Sequence, residues 1–364
     1  MSGFKRLLSL LCAVVLVGVV LVSGAPRAMS AQSPSFKGQT LTVATWGGDW
    51  KEMRHKLVGS ALEKLTGARV EYVVGNPIDH LAKMIASRGI RAPFDVIEMD
   101  EQTAIRAARA GLLEAVDYRQ LPNVRDLDAA IRNPNYVPAW FFEHGISYRT
   151  DKFAELGLPV PSKWGDLFNP KLAGRVGIPT LGQSSGVVFL VTLAYERGGS
   201  EDNVDPAFEA IRQLKVGYFF RSSAEFAPRF TSGDVWAAVW SNSRTFRLAQ
   251  TGLPVAFARA AMKDRFGVLE YSVLAIPKDS PNRALAHQYM NISLDPNVQY
   301  ETAVWGLAAP VNRRAQIRVS FNPTLKDVML WRKQDVEKMF RIDWAKVSTQ
   351  IDSWIDRWNR TIGR

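Results

Sequence analysis

Between residues 40 and 111 the chain alternates short apolar segments with amphipathic ones, and this alternation restricts the fold more than any other feature of the sequence. Thr40 to Thr45, Arg69 to Val74 and Phe94 to Ile97 have the apolar and β-branched character of buried strands. The segments between them, Trp50 to Leu65 and Pro77 to Arg88, repeat apolar residues at helical spacing. Strands separated by helices of this length predict βαβ units and a mostly parallel sheet.

A second α/β set follows a stretch rich in proline and asparagine near residue 135. An aromatic strand around Trp140 to Tyr148 leads into it, and a further strand is predicted from Tyr271 to Pro277. The length of 364 residues is consistent with two domains. The last forty residues have a helical pattern, and we expect the tryptophans of this tail to pack onto one of the domains: Trp344, Trp354 and Trp358.

The first thirty residues have the pattern of a secretory signal peptide. Lys5 and Arg6 precede a 16-residue apolar run, Leu7 to Val22, and Ala28-Met29-Ser30 fits a small-residue cleavage site. We therefore expect a periplasmic protein that begins near residue 31. The long apolar run leaves a signal anchor as the alternative.

Composition excludes several classes of function. The single cysteine, Cys12, lies inside the apolar run, so an internal disulfide is impossible. The 46 Lys and Arg exceed the 35 Asp and Glu, but they are scattered, and we expect no nucleic-acid binding. The four histidines are isolated, and we expect neither a metal nor a cofactor. A secreted hydrolase is the alternative from another class, although no H-E-x-x-H motif is present.

Six segments, in order, resemble the periplasmic solute-binding proteins of ABC importers, and among these the spermidine/putrescine-binding type. The opening strand with its Trp-Gly-Gly turn and the Trp-x-Asp-Leu-(aromatic)-x-Pro segment are two of them. The six are Leu41–Gly48, Glu63–Val70, Phe94–Ile97, Lys163–Pro170, Gly233–Asn242 and Leu274–Pro277. Together they span about residues 40 to 312.

The resemblance implies an α/β fold of two lobes, of the type II periplasmic binding kind, with the ligand in a cleft between them. The chain would cross twice between the lobes, near His144–Ser147 and near Glu270. Lobe one would comprise residues 31–145 and 271–313, and lobe two residues 146–270 and 314–364, including the C-terminal helices. The protein would act as a monomer that delivers a small solute to the permease subunits of its importer, without enzymatic activity.

Aromatic residues are the first candidates for the cleft. Trp46 follows the first strand, and Gly47 and Gly48 after it mark a tight turn where backbone can approach a ligand, with Asp49 adjacent. Trp240 ends a later strand and matches a cleft tryptophan of the family. We expect the two indoles to face each other across the ligand; the alternative is that both are ordinary core residues.

The acidic candidates fit the polyamine pattern only in part. Asp100 and Glu101 follow the third strand at a position that faces the cleft in the family, and they suit an ammonium group. Ser272, however, stands where polyamine binders carry an aspartate, and the segment after Pro179 lacks two further acids. A solvated helix start is the alternative interpretation of the Asp-Glu pair.

The same cleft contains residues that suit an anion. Ser184 and Ser185 open a predicted helix whose free N–H groups would attract one, and Asn242 and Arg244 follow Trp240. The sequence therefore predicts capture of a polyamine or another amine-containing solute. The alternatives are thiamine or a zwitterionic or anionic solute such as an aminophosphonate. Ferric ion fits less well, because the iron-binding relatives use a Tyr-Tyr pair that this sequence lacks.

Overall fold

Ten β-strands form one mixed sheet in the computed structural model, which describes residues 36–262 and 265–362. The predicted signal peptide lies outside these residues. Among the described helices, none is long and apolar enough to cross a membrane. The strands are β1 (Thr40–Thr45), β2 (Arg69–Val74), β3 (Val96–Asp100), β4 (Val137–Arg149), β5 (Val176–Pro179), β6 (Val216–Phe220), β7 (Ala237–Ser241), β8 (Val255–Ala258), β9 (Val268–Ala275) and β10 (Ala309–Pro310).

The sheet is parallel at both ends and antiparallel in the middle. Its order is β2-β1-β3-β9-β4-β7-β5-β6, with β8 and β10 paired to β4. β1 pairs in parallel with β2 and β3, and β5 pairs in parallel with β6 and β7. The central strands β9 and β4 are antiparallel to each other and to their other neighbours. The expectation of a mostly parallel sheet holds for the two ends, but the antiparallel centre was not expected.

Helices connect the parallel strands and cover the sheet. The first connection is α1 (Asp49–Arg54), one turn of π-helix at His55–Gly59 and α2 (Ser60–Thr66), which ends where Gly67 takes a left-handed conformation with φ of 74°. The α-helices are α1 (Asp49–Arg54), α2 (Ser60–Thr66), α3 (Pro77–Ala86), α4 (Glu101–Arg109), α5 (Thr150–Glu155), α6 (Ser184–Glu196), α7 (Asp205–Gln213), α8 (Ser223–Ser232), α9 (Asn242–Gln250), α10 (Arg283–Ser293), α11 (Pro296–Gly306), α12 (Arg313–Phe321), α13 (Leu325–Val328), α14 (Lys333–Glu337), α15 (Trp344–Val347) and α16 (Ile351–Thr361).

Two large hydrophobic cores divide along the strands β4 and β9. On β4, Phe141 belongs to the first core and Ile146 to the second; on β9, Leu269 belongs to the first and Val268 to the second. A smaller third core contains Ala238 and Trp240, which alternate along β7 with Ala237 and Val239 of the second core and so lie on the other face of that strand. The cores therefore separate where the chain was expected to cross between lobes. The two-lobed α/β fold is confirmed.

The tail after residue 313 is divided between the lobes. The first core contains the buried side chains of Val319, Leu325, Met329, Leu330 and Met339, whereas Trp344, Trp354 and Trp358 are buried in the second. The sequence assigned everything after residue 313 to lobe two. The apolar residues of α12 and α13 belong to the first core, and α12 contacts α11. The lobe boundary at residue 313 stays a prediction.

Candidate functional site

A cavity of about 160 Å³ lies where strands from both lobes meet. Residues at or just after the ends of β1, β3 and β7 line it, together with side chains of β4 and β9 and the N-terminus of α6. Strand ends are where α/β sheets usually bind their ligands. Of the residues proposed from the sequence, the cavity is lined by Trp46, Asp100, Ser184, Ser185, Trp240, Arg244 and Ser272.

The Gly-Gly turn and Asp49 lie beside the cavity rather than in its lining. Gly48 has φ of 64°, and a Cβ on Gly47 would come within 2.6 Å of the Val74 side chain. The backbone and its packing therefore require these glycines. The Asp49 side chain is exposed and lies 3.7 Å from Arg247.

Glu101 and Asn242 also point elsewhere. Glu101 accepts a hydrogen bond of 3.2 Å from Tyr136 and lies 3.9 Å from Arg341. Burial raises the pKa of Glu101 to about 7, against the opposing effects of Arg341 and Tyr136. Asn242 is buried and exchanges two hydrogen bonds of 3.2 Å with Glu143. Neither residue is part of the cavity lining, and their contact with the solute stays a prediction.

A buried carboxylate that sequence reasoning missed defines the acidic side of the cavity. Glu270 is 5 % exposed, and its Oε2 accepts hydrogen bonds of 2.8 Å from both His144 Nε2 and Ser184 Oγ. Its Oε1 is buried and has no hydrogen-bond partner among residues 36–262 and 265–362. Glu270 lies two residues before Ser272, and alternate residues of a strand share a face. The two-residue repeat of a strand would therefore have identified Glu270 as a cleft residue once Ser272 was placed in the cleft.

Asp100 lies on the same side as Glu270. It stands opposite Ser272 in the β3–β9 register, and its Oδ1 accepts a 2.8 Å hydrogen bond from the backbone N–H of Thr103 as the N-cap of α4. Burial is the main cause that raises the pKa of Asp100 to about 6, and the negative charge of Glu270 is the second cause. Two neighbouring carboxylates with few donors favour the approach of a cation.

The aromatic lining has two parts with different surroundings. Trp46 is half-buried and meets Trp50 edge to face at 6.0 Å, and Trp50 in turn lies 6.4 Å from Phe142. Trp50 and Phe142 also line the cavity, although neither was proposed from the sequence. Their rings form an apolar wall on the first lobe.

Trp240 lines the cavity from the second lobe but is anchored in its own core. It is 3 % exposed, its indole N–H donates to Ser223 Oγ at 3.0 Å, and its ring packs on Phe226 at 5.0 Å. Most of this indole is therefore core, and one edge is left for a ligand. That Trp46 and Trp240 both touch the solute remains a prediction.

Arg244 supplies positive charge to the lining. Its guanidinium makes no hydrogen bond or ion pair with any residue in 36–262 or 265–362. Desolvation by the surrounding protein lowers the pKa of Arg244, and the positive charge of Arg247 lowers it further. The residue is nevertheless exposed to solvent. Ser184, which was expected to bind an anion, donates a hydrogen bond to Glu270. Binding of an anion at this helix start stays a prediction.

Within the described ranges, no three His, Cys, Asp or Glu side chains converge as metal ligands would. The site therefore consists of an acidic side, an unpaired arginine and an aromatic wall. Two lobes joined by two strands around such a cavity define a solute-binding protein of the two-lobed class.

Comparison with known proteins agrees with that class. The family model for bacterial extracellular solute-binding proteins matches residues 58–326, and the chain belongs to this family. The putrescine-binding periplasmic protein of Escherichia coli is 25 % identical over 327 residues, covering 82 % of this chain and 85 % of that protein. The γ-aminobutyric acid-binding protein of Pseudomonas aeruginosa is 24 % identical, with 76 % and 77 % covered.

Solved structures show the same fold. An ABC transporter substrate-binding protein from Bradyrhizobium japonicum superimposes with a TM-score of 0.75 at 20 % identity, covering 89 % of this chain and 99 % of that one. The resemblance to solute-binding proteins seen in the sequence is confirmed.

Proposed function

We propose that this protein captures a short solute carrying both an ammonium group and a carboxylate, of the γ-aminobutyrate type, and delivers it to the permease of an ABC importer. The observation that carries the proposal is the unpartnered Oε1 of Glu270, a buried carboxylate oxygen at the cavity wall. A buried acceptor without a donor is costly, and a ligand ammonium would supply the missing donor.

Asp100 strengthens the preference for an ammonium group. Its raised pKa results from burial beside Glu270, so a cation placed between the two carboxylates stabilises both charged forms. The aromatic wall of Trp46 and Trp50 suits the apolar stem of such a solute and can also face a cation.

Arg244 argues for an anionic group on the same ligand. An unpaired guanidinium in the lining favours a carboxylate, which it can bind with two parallel hydrogen bonds. A ligand with ammonium groups alone would leave Arg244 unpaired and add repulsion.

The cavity size favours a short solute. A cavity of about 150 Å³ holds a molecule the size of benzene, and the cavity here is about 160 Å³. γ-Aminobutyrate and putrescine are of suitable length, whereas spermidine is longer. One relative is named for γ-aminobutyric acid and another for putrescine, so both solutes have precedents in the family.

A diamine such as putrescine is the second candidate. The pair Asp100 and Glu270 favours it, because two carboxylates would hold one ammonium firmly even without an anionic group. Arg244 distinguishes the two candidates, because its positive charge favours a ligand with a carboxylate and disfavours a diamine.

Calorimetric titration tests the proposal with γ-aminobutyrate, putrescine, spermidine and butyrate. We expect γ-aminobutyrate to bind most tightly and butyrate, which lacks the ammonium group, not to bind. Thermal shift offers a parallel measurement, since ligand at 100 times its Kd adds about 2.7 kcal/mol to stability. Tighter binding of putrescine would favour the second candidate, and binding of butyrate alone would contradict both.

Export and delivery can be tested separately. We propose cleavage near residue 31, release to the periplasm and action as a monomer. Sequencing of the mature N-terminus checks this: a start near Ala31 in the periplasmic fraction is expected, and an intact Met1 in the membrane fraction would show an anchor. Loss of solute uptake on deletion of the gene checks delivery.

A further inference from the structure

A second and larger cavity lies behind the two strands that connect the lobes. Phe141 on β4 and Tyr271 on β9 form part of its wall; both are buried, and their rings meet edge to face at 6.0 Å. Their neighbours along the strands, Phe142, Glu270 and Ser272, line the solute cavity. Because successive strand residues point to opposite faces, the second cavity lies on the reverse side of the same two strands. We call it the rear pocket; its volume is about 620 Å³.

Cationic side chains outnumber carboxylates in the rear pocket. The cations are Arg313, Arg332, Lys333 and Arg341, and the carboxylates are Asp128 and Glu337. Arg313 and Lys333 share one oxygen, Oδ2 of Asp128, at 3.3 and 3.2 Å. Lys333 also lies 3.5 Å from Glu337, and Arg332 lies 3.9 Å from Asp335. The lining itself, with four cations and two carboxylates, keeps an excess of positive charge.

Arg341 is the cation best placed to receive an anion. Its guanidinium lies 4.8 Å from the ring centre of Tyr271, and 3.9 Å separates it from Glu101, beyond hydrogen-bond distance. It makes no hydrogen bond with the part of the chain that the structure describes. A guanidinium held over an aromatic ring with free N–H groups is a typical arrangement for binding a carboxylate or sulfonate.

The rest of the wall is apolar and includes an indole. Trp331, half-buried, faces the pocket with Val311 and Val336, and Arg332 covers one side of that indole at 4.8 Å. An apolar wall with a positively charged margin suits a molecule with a flat apolar body and one negative group.

We propose that the rear pocket is a second binding site, for a small organic anion with an aromatic body, an aromatic carboxylate or sulfonate. Arg341 and Lys333 bind the anionic group, while Tyr271 and Trp331 contact the aromatic body. This site does not depend on the identity of the solute in the cleft, because it contains other residues on the other face of the sheet.

The test is calorimetric titration of the mature protein with 1-naphthalenesulfonate. We expect one site per chain, and at least tenfold weaker binding in the double variant Arg341→Gln/Lys333→Gln. The matched control Arg360→Gln/Lys326→Gln removes the same charge from exposed positions outside the pocket and should bind as the parent does. Thermal melting of each variant confirms that it is folded.

Two further measurements test whether the sulfonate binds in the rear pocket and whether that pocket selects a negatively charged ligand. Glu270→Gln changes the cleft only and should leave naphthalenesulfonate binding unchanged. The cationic analogue 1-naphthylmethylamine should not bind to the rear pocket. If it binds elsewhere on the protein, its affinity should be no weaker in Arg341→Gln/Lys333→Gln than in the parent. Absence of sulfonate binding at millimolar concentration, equal affinity in the two double variants, or loss of binding in Glu270→Gln would overturn the proposal.

Discussion

The hydroxyl of Ser184 donates a 2.8 Å hydrogen bond to the carboxylate of Glu270 and so links the N-terminus of α6 in the second lobe to strand β9. His144 on β4 binds the same oxygen at 2.8 Å. The second carboxylate oxygen is thereby held in place with no partner in the described part of the chain. Both connecting strands and one helix of the second lobe thus position the group that we expect to receive the ligand.

Replacing Glu270 with Gln should weaken binding of the amine solute by more than tenfold. The amide keeps the shape of the side chain but removes the negative charge that pairs with an ammonium group. Calorimetry measures the effect. Glu71→Gln is the matched control, since Glu71 is exposed at the edge strand β2 and outside the cavity. Equal affinity of Glu270→Gln and the parent would remove Glu270 from the site.

Affinity for an amine solute should fall as the pH is lowered from 7.5 to 5. The pKa of Asp100 is raised to about 6 by burial and by the charge of Glu270, so Asp100 loses its charge in this interval. Asp100→Asn should bind the amine more than tenfold more weakly at pH 7.5 and show a smaller pH dependence. A parent affinity that is constant from pH 7.5 to 5 would contradict this role of Asp100.

The same substitution should stabilise the ligand-free protein at pH 8. The folded-state pKa of Asp100 lies above its ordinary value of 3.8. Its contribution to stability is therefore present in full below that value and is lost as the pH rises through about 6. Asparagine also caps helices well, so the start of α4 is preserved. Thermal melting should show a higher Tm for Asp100→Asn than for the parent at pH 8, and a smaller difference at pH 4.5; a lower Tm at pH 8 would contradict the burial effect.

Arg244→Gln should distinguish a zwitterion from a diamine. Affinity for γ-aminobutyrate should drop about tenfold or more, because a charge-assisted pair with the carboxylate is lost. Affinity for putrescine should stay the same or rise, because a repulsive charge is removed. The exposed Arg212, which pairs with Glu209 on α7, provides the control variant Arg212→Gln. A parallel loss for both ligands would show that Arg244 acts on the fold rather than on the solute.

The two tryptophans should respond differently to truncation. Trp240→Ala should cost about 3–5 kcal/mol of stability, as expected for a large aromatic removed from a core. Trp46→Ala should change stability less, because the side chain is half-buried, and should weaken solute binding about tenfold. Chemical denaturation and calorimetry provide the two readouts. If Trp46→Ala binds as the parent does, the aromatic wall is not a contact surface.

Arg247 should favour closure of the lobes. On α9 of the second lobe, it donates to the Trp305 carbonyl oxygen at 2.9 Å and lies 3.7 Å from Asp49, and both of these residues are in the first lobe. Arg247→Ala should lower solute affinity a few-fold, because binding must then stabilise closure without this contact. Small-angle scattering should show a smaller radius of gyration for the parent with solute than without. An unchanged radius in the parent would mean that the lobes do not move.

The sequence by itself determined the local elements and the class of protein. Strands β1 and β2 lie where the apolar, β-branched segments predicted them, and α3 begins at the predicted residue, Pro77. Local patterns are sufficient here because strand and helix periods depend on neighbouring residues. Seven of the twelve proposed site residues line the cavity, since strand ends place the residues that follow them at one edge of the sheet.

Only the tertiary structure decided which polar groups meet. Glu270 and His144 were noted as positions near the crossings, but their pairing depends on the antiparallel register of β4 and β9, which join segments more than a hundred residues apart. The direction of Glu101, away from the cavity, likewise depends on Tyr136 and Arg341 from distant parts of the chain. Such contacts depend on long-range packing, which local periodicity does not specify. The pairing of strands therefore determined which carboxylate faces the solute.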